Sequence, residues 1–150
     1  MVKLLIDFLN RWVWFVGGAA VLALLLWFLV FAPVPAVLQN REWELETVQT
    51  ADGSALWIST RGRFTVRFDN YKVNGTGSCN SFSGTVHVTR VSSAISFGSV
   101  FRTLMACLPS ADSDHESAFF AALGSATKYE VKAEKLYVYF DDSTKALVFR

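Results

Sequence analysis

The apolar residues of the chain form one long run near its beginning. No residue between Trp12 and Leu38 is charged, and residues 12–32 are apolar throughout. A helix needs about 20 such residues to cross the hydrocarbon core of a membrane. Pro33 and Pro35 then interrupt the helical pattern, because proline lacks a backbone N–H donor. The run predicts one transmembrane helix over residues 12–32.

A cleaved signal peptide is the alternative interpretation of the same run. Residues 34–36 read Val-Pro-Ala and offer small side chains to a signal peptidase. The apolar core of a signal peptide is typically about 7–15 residues, however, and this run is longer. We therefore expect a retained anchor.

The charges that flank the run predict its orientation. Lys3 and Arg11 precede it, whereas Arg41 is the only base close behind it. The excess of bases ahead of the run places the N-terminus in the cytoplasm. The expected organisation is a cytoplasmic stub (1–11), a transmembrane helix (12–32), a linker (33–40) and a periplasmic or otherwise extracytoplasmic domain (41–150). The expected location is thus the cell membrane, as a single-pass protein.

One face of the predicted anchor carries small residues, from Gly17 to Ala23. Such a surface allows close approach of another membrane helix, although small residues are also common in membrane helices that have no partner. The expected partners are the lipid bilayer and, through this face and the outer domain, integral membrane proteins.

Beyond residue 40 the hydrophobic pattern becomes short and alternating. Phe64, Val66 and Phe68 alternate with polar residues, and so do several later sets. Alternation with a period of two indicates strands that bury one face. The further apolar positions of these strands are Val86, Val88, Leu136, Val138, Phe140, Leu147 and Phe149.

A single segment of this domain has helical periodicity. Ser113 and Glu116 have the spacing of a capping box, and Phe119, Phe120 and Leu123 follow on one stripe before Gly124. The segment predicts a helix over residues 113–124. The expected fold class is α+β, with a curved antiparallel sheet, resembling a small open barrel, packed around this short helix.

The composition excludes several classes of protein. Apolar residues make up 52% of the chain and charged residues 18%, which is not the composition of a disordered chain. The formal net charge is +1 and no basic patch is evident, so we expect no nucleic-acid partner.

The most unusual local sequence is the glycine-rich stretch over residues 75–84. Its glycines indicate a sharp reversal that needs either positive φ or close backbone approach. The stretch lacks the phosphate-binding pattern G-x-x-x-x-G-K-[ST] and strand-like residues follow it, so nucleotide binding is not expected.

Three separated motifs follow one another in the chain: Trp43-Glu44-Leu45, the glycine-rich stretch, and Thr103-Leu104-Met105-Ala106-Cys107. In these motifs the chain resembles the META/HslJ domain family over roughly residues 40–150. They match the first strand of that family, its Gly-x-Cys-Asn turn and its Thr-x-Met-x-Cys motif, in that order. Ser78 departs from the pattern, which usually has a second glycine there. The motif residues carried over as structural are Gly75, Gly77, Asn80, Phe82, Gly84, Thr103, Met105 and Glu116.

The resemblance implies a secreted or envelope-attached, non-enzymatic domain, associated with stress, antibiotic tolerance or secretion. We expect a membrane-anchored module that acts by binding or structural support. The alternative is a single-span accessory subunit of a large integral membrane complex.

Cys79 and Cys107 are the only cysteines, and an extracytoplasmic compartment favours a disulfide between them over two buried thiols. His87 and His115 lack the short spacing of zinc ligands. No nucleophile and base are placed together by a motif. We therefore expect no metal, no cofactor and no catalytic residue.

Overall fold

The computed structural model describes residues 18–25, 33–105 and 110–150, with side chains in the last range described from residue 113. The chain divides into two compact units, Met1–Ala32 and Pro33–Arg150. In the first unit, residues 18–25 are helical with exposed side chains, and this segment is labelled α1. Within the described ranges, no helix combines the length and the apolar character that crossing a bilayer requires. Most of the predicted membrane helix, including Gly17, lies outside the described residues.

The second unit contains a nine-stranded antiparallel sheet and helix α2 (Ser110–Gly124). The strands are β1 (Glu42–Thr50), β2 (Ala55–Ile58), β3 (Thr65–Asp69), β4 (Lys72–Thr76), β5 (Ser81–Thr89), β6 (Ala94–Arg102), β7 (Lys128–Lys132), β8 (Lys135–Phe140) and β9 (Lys145–Phe149). The expected α+β class, with a curved antiparallel sheet and a short helix, is confirmed.

Pairing between the first and last strands closes the sheet into a barrel. The strand order is β2-β1-β3-β4-β5-β6-β7-β8-β9, and β1 also pairs with β9. Along the other edge of β1 two strands pair in succession. Residues 42–44 of β1 pair with β3, and residues 47–49 pair with β2. From β3 to β9 each strand pairs with the next one in the chain, so the barrel is a meander with β2 as an appended edge strand.

The barrel is least closed between β6 and β7. These strands are in register only at Ala94 and Lys128, although β5 follows β6 as far as Arg102. Helix α2 packs against β6 beside this opening. The helix thus stands where the sheet does not close.

Tight turns with positive φ connect several strands. Ala133 and Glu134, between β7 and β8, have φ of 50° and 63°. Positive φ at both positions of a two-residue loop matches the right-handed twist of a hairpin. Asn70 (φ 52°) lies in the turn between β3 and β4.

The core occupies the barrel interior, and the alternating residues point into it. Phe64, Val66 and Phe68 are at most 3% exposed. Strand β9 is an exception, because Ala146 and Val148 are buried as well as the inward residues. They pair with Tyr139 and Tyr137 of β8, whose side chains share their outer face.

The segment 33–40, expected as a linker, packs against the barrel. Val34 and Leu38 are fully buried. The Val34 N–H donates to the Asn70 carbonyl (3.3 Å), and the Trp43 indole N–H donates to the Leu38 carbonyl (3.0 Å). These contacts make residues 33–40 part of the domain.

The start of α2 differs from the sequence prediction. The helix begins at Ser110, so Ser113 lies inside it and is not the N-cap. The capping-box prediction is therefore wrong. The Glu116 carboxylate, which that prediction directs back along the helix, instead bonds to a distant part of the chain.

Candidate functional site

Glu116 is the central residue of the site that joins helix α2 to the glycine-rich turn. It is 4% exposed. Its Oε1 accepts hydrogen bonds from the backbone N–H groups of Cys79 (3.0 Å) and Asn80 (2.8 Å). Its Oε2 accepts one from the Asn80 side-chain amide (2.5 Å). A single carboxylate therefore fastens the helix to the turn between β4 and β5.

Asn80 connects the same turn to the segment that follows β6. Its Oδ1 accepts hydrogen bonds from the Thr103 hydroxyl (2.8 Å) and the Met105 N–H (2.7 Å). Its Nδ2 donates to the Met105 carbonyl (3.3 Å) as well as to Glu116. Asn80 is 5% exposed, and these bonds satisfy both ends of its amide. Asn80 thus ties three separate segments together.

The four-residue turn over residues 77–80 is itself hydrogen bonded. The Gly77 N–H donates to the Asn80 carbonyl (2.6 Å), and Thr76 and Ser81 form the last pair of the two strands. The turn presents the N–H groups of residues 79 and 80 to Glu116, which lies beside it on α2.

Close approach, not positive φ, accounts for the glycines of the motif. None of Gly75, Gly77 and Gly84 has positive φ. A Cβ at Gly77 would clash with the Glu116 carboxylate, and a Cβ at Gly75 would clash with the Thr65 carbonyl. The sequence left both explanations open, and the structure selects close approach.

Aromatic rings hold α2 to the barrel beneath this network. The Phe119 ring lies 5.1 Å from that of Phe64 and 6.0 Å from that of Phe82, between centroids. The Phe120 ring packs edge-on to Phe82 at 5.4 Å. Edge-to-face geometry at these distances is favourable beyond simple burial.

The pKa of Glu116 lies below its ordinary value. Burial raises it, but the hydrogen bonds from the Asn80 side chain and from the backbone of Cys79 and Asn80 outweigh burial, and the charge of Arg102 lowers it further. Glu116 is therefore held as a carboxylate that accepts hydrogen bonds and is not prepared to donate a proton.

A groove of about 410 Å³ lies beside the network, between β6 and α2. Phe97, Val100 and Arg102 of β6 form one wall. The other wall consists of α2 residues, namely Ser117, Phe120 and Ala121. The Arg102 guanidinium stands over the Phe120 ring, 4.9 Å from its centroid. The groove thus has apolar side chains on both walls, and Ser117 and the Arg102 cation make the rest of its lining polar.

The residues predicted as structural are brought together only in part. Asn80, Thr103, Met105 and Glu116 form the hydrogen-bonded network, and Gly77 lies against it. Phe82 lies in the aromatic cluster beneath. Gly84 approaches the β6 backbone at residues 98–100, and Gly75 approaches β3.

The predicted disulfide cannot be placed in full. Cys79 lies in the turn, next to Asn80, but Cys107 lies outside the described residues. The pairing therefore stays a prediction.

The two histidines are separated in the structure. His87 is exposed on β5, and His115 stacks on Trp57 with ring centroids 4.6 Å apart. Across the described part of the chain, no group of three or more His, Cys, Asp or Glu side chains is arranged to hold a metal ion.

Two features of the site have no local signature in the sequence. These are the stacking of His115 on Trp57 and the placement of Arg102 over Phe120. Each joins residues from different elements. No spacing in the sequence indicates either contact.

The fold and site together define a small meander β-barrel whose opening carries a helix locked by a Glu–Asn pair. The model of the META domain family matches residues 36–150. The chain belongs to this family, so the resemblance found in the sequence is confirmed. No curated protein matches the chain.

Solved structures share the fold at low sequence identity. A protein from Burkholderia xenovorans, solved by NMR, is 23% identical, with a TM-score of 0.60 over 75% of this chain and 82% of its own. The crystal structure of a DUF4847 family protein from Bacteroides vulgatus is 13% identical, with a TM-score of 0.57 over 75% and 92%. Both likenesses concern the fold alone.

Proposed function

We propose that the chain is a membrane-anchored envelope module that acts by binding or by structural support and not as an enzyme. The observation that carries this proposal is the use of the motif's polar groups. These groups are already hydrogen bonded within the domain. They belong to Asn80, Thr103 and Glu116, which bond to one another and to the backbone. The groove and the apolar surface beside them are then the features available to another molecule.

Three apolar side chains at and just after the end of β6 are exposed. Phe101 is 73% exposed, Leu104 89% and Met105 61%. Clustered apolar exposure of this kind is typical of interaction surfaces. It favours binding to a macromolecule and also supports the second candidate, an accessory subunit docked on an integral membrane complex. A stress-related role is part of the proposal through the family resemblance.

The anchor and its orientation belong to the same proposal. They are supported by the apolar run at residues 12–32 and by Lys3 and Arg11 ahead of it. Protease added to intact spheroplasts should digest the domain from residue 39 onward. Complete protection of that domain while the membrane stays sealed would reverse the orientation.

Site-specific photo-cross-linking in native membranes tests the binding function. A photoreactive amino acid is placed at Leu104 and, as the matched control, at Val91, which is 81% exposed in the turn after β5. We expect a discrete adduct from Leu104 and none from Val91. Equal labelling at both positions, or none at either, would contradict a binding role for this surface.

Native electrophoresis after mild detergent extraction separates the two candidates. An accessory subunit comigrates with a large assembly, whereas an independent module does not.

A further inference from the structure

Strand β6 has an edge that is paired only at its beginning. The Ile95 N–H donates to the Thr127 carbonyl on the β7 side (3.1 Å). Backbone groups of alternate residues point to the same side of an antiparallel strand, so the N–H and C=O of Phe97 face this opening. The hydrogen bonds among the described residues include no partner for them. An unpaired strand edge is a template for an added strand.

The helix opposite this edge leaves room for another chain. Ser117, Ala121 and Gly124 recur at helical spacing on the side that faces β6, and all three are exposed. A Cβ at Gly124 would meet no atom within 4 Å. Small side chains on one wall therefore maintain the groove of about 410 Å³.

The charge at the groove indicates the character of its occupant. Arg102 is exposed at the rim, and Phe120 supports its guanidinium group. The carboxylate that its charge influences, Glu116, is buried and engaged with the turn. An acidic side chain on an incoming segment would complement Arg102.

The surroundings favour a polypeptide over a small amphiphile. A small amphiphile in the groove would contact its side chains but would leave the backbone N–H and C=O of Phe97 unpaired. An extended polypeptide would pair these backbone groups and place alternate side chains in the groove.

We propose that an extended, acidic segment of a partner protein adds to the free edge of β6, with apolar side chains in the groove and a carboxylate at Arg102. The backbone bonds supply affinity, and the groove selects alternate side chains. This inference rests on the proposed binding function and specifies its site.

Peptide selection on the purified full-length chain in mild detergent tests the inference. A phage-displayed library of random dodecapeptides is the probe. We expect enriched peptides with alternating apolar residues and at least one acidic residue. Fluorescence anisotropy then measures the Kd of the synthesised peptides, and hydrogen exchange reports on the Phe97 amide, which should slow about tenfold on binding.

Matched variants locate the binding site. Ala121→Trp fills the groove and should weaken binding at least tenfold. Ala118→Trp, at an exposed position of α2 that does not line the groove, should leave binding unchanged. Arg102→Glu should reverse the preference for acidic over basic peptides. Thermal melting of each variant confirms that it is folded.

Three results would overturn the inference: no enriched peptide, equal affinity for the Ala121→Trp variant, or unchanged exchange at Phe97. Binding of dodecanoate in the groove without any peptide enrichment would assign it to a small amphiphile and also overturn it. The proposed function fails separately, through the absence of a Leu104 adduct in native membranes. An adduct there without enriched peptides would retain the binding function and reject strand addition.

Discussion

Glu116 and Asn80, thirty-six residues apart in the chain, share two hydrogen bonds that fasten helix α2 to the barrel. The Glu116 carboxylate accepts both the backbone N–H and the side-chain amide of Asn80. Because both residues are buried, loss of either one leaves polar groups without water or partner, which is costly. This pair decides where the helix stands, and hence the shape of the groove.

Replacing Glu116 with Gln should destabilise the domain and change its acid sensitivity. A glutamine would turn its side-chain NH₂ toward the N–H donors of Cys79 and Asn80 that now bond to the carboxylate. We therefore expect the free energy of unfolding at pH 7 to fall by about 2–3 kcal/mol. The folded-state pKa of Glu116 lies below its ordinary 4.5. The stability that the Glu116 carboxylate contributes is thus complete above about pH 4.5 and is lost as pH falls through the folded-state pKa. Urea unfolding between pH 7 and 2.5 should show a flatter acid decline in the variant.

The exposed Glu42 provides the control for that experiment, because Glu42→Gln removes a carboxylate outside the network. Parallel acid declines in wild type and Glu116→Gln would contradict the assigned role.

Gly77→Ala should destabilise the domain by about 1–3 kcal/mol, because its Cβ meets the Glu116 carboxylate. Gly124→Ala is the matched control: it meets nothing and should be neutral or stabilise by up to about 1 kcal/mol. Chemical denaturation measures both. In a Glu116→Ala background, Gly77→Ala should reduce the free energy of unfolding by less than it does in the wild type. The same reduction in both backgrounds would show that the clash is not with Glu116.

Phe119→Ala should cost about 3–5 kcal/mol, because the ring is fully buried among Phe64, Phe82 and Phe120. Phe101→Ala removes the same group from a position 73% exposed and should change stability by about 0.5 kcal/mol or less. If urea denaturation showed the same loss of unfolding free energy for both variants, this would contradict the packing of α2 against the core.

The Cys79–Cys107 bridge is tested by alkylation under non-reducing conditions, on protein taken from native membranes. We expect both thiols to resist alkylation until a reductant is added. Cys79→Ser should cost about 3–4 kcal/mol, and the double mutant no more, since either change removes the same bridge. Two freely alkylated thiols would refute the bridge.

Local pattern was sufficient for the helix and for strands β3, β5, β8 and β9, and the family motif indicated β1. Alternation at Phe64, Val66 and Phe68 identified the inward face of β3 and of the residue before it, because strand residues two apart lie on one face. The apolar stripe at Phe119 and Leu123 identified the core face of α2, because residues four apart lie on one face of a helix. The start of that helix was misjudged, since a capping box assumes that Glu116 bonds within its own first turn.

The site was only partly predictable. The family motifs named Asn80, Thr103, Met105 and Glu116, but no spacing in the chain states that they meet. The expected linker likewise proved to pack on the barrel through Val34 and Leu38. Such contacts depend on where whole elements lie relative to one another. Sequence periodicity indicates which face of an element is buried but not which element it packs against.

By itself, then, the sequence determined strands β3, β5, β8 and β9, the body of the helix, their core-facing residues and the family, because each depends on neighbours a few positions apart. Only the tertiary structure decided the closure of β1 on β9, the divergence of β6 from β7 and the lock between Glu116 and Asn80. These join residues far apart in the chain. Which distant groups meet depends on the twist and closure of the whole sheet, because a barrel brings its first and last strands together only after the strands between them lie side by side.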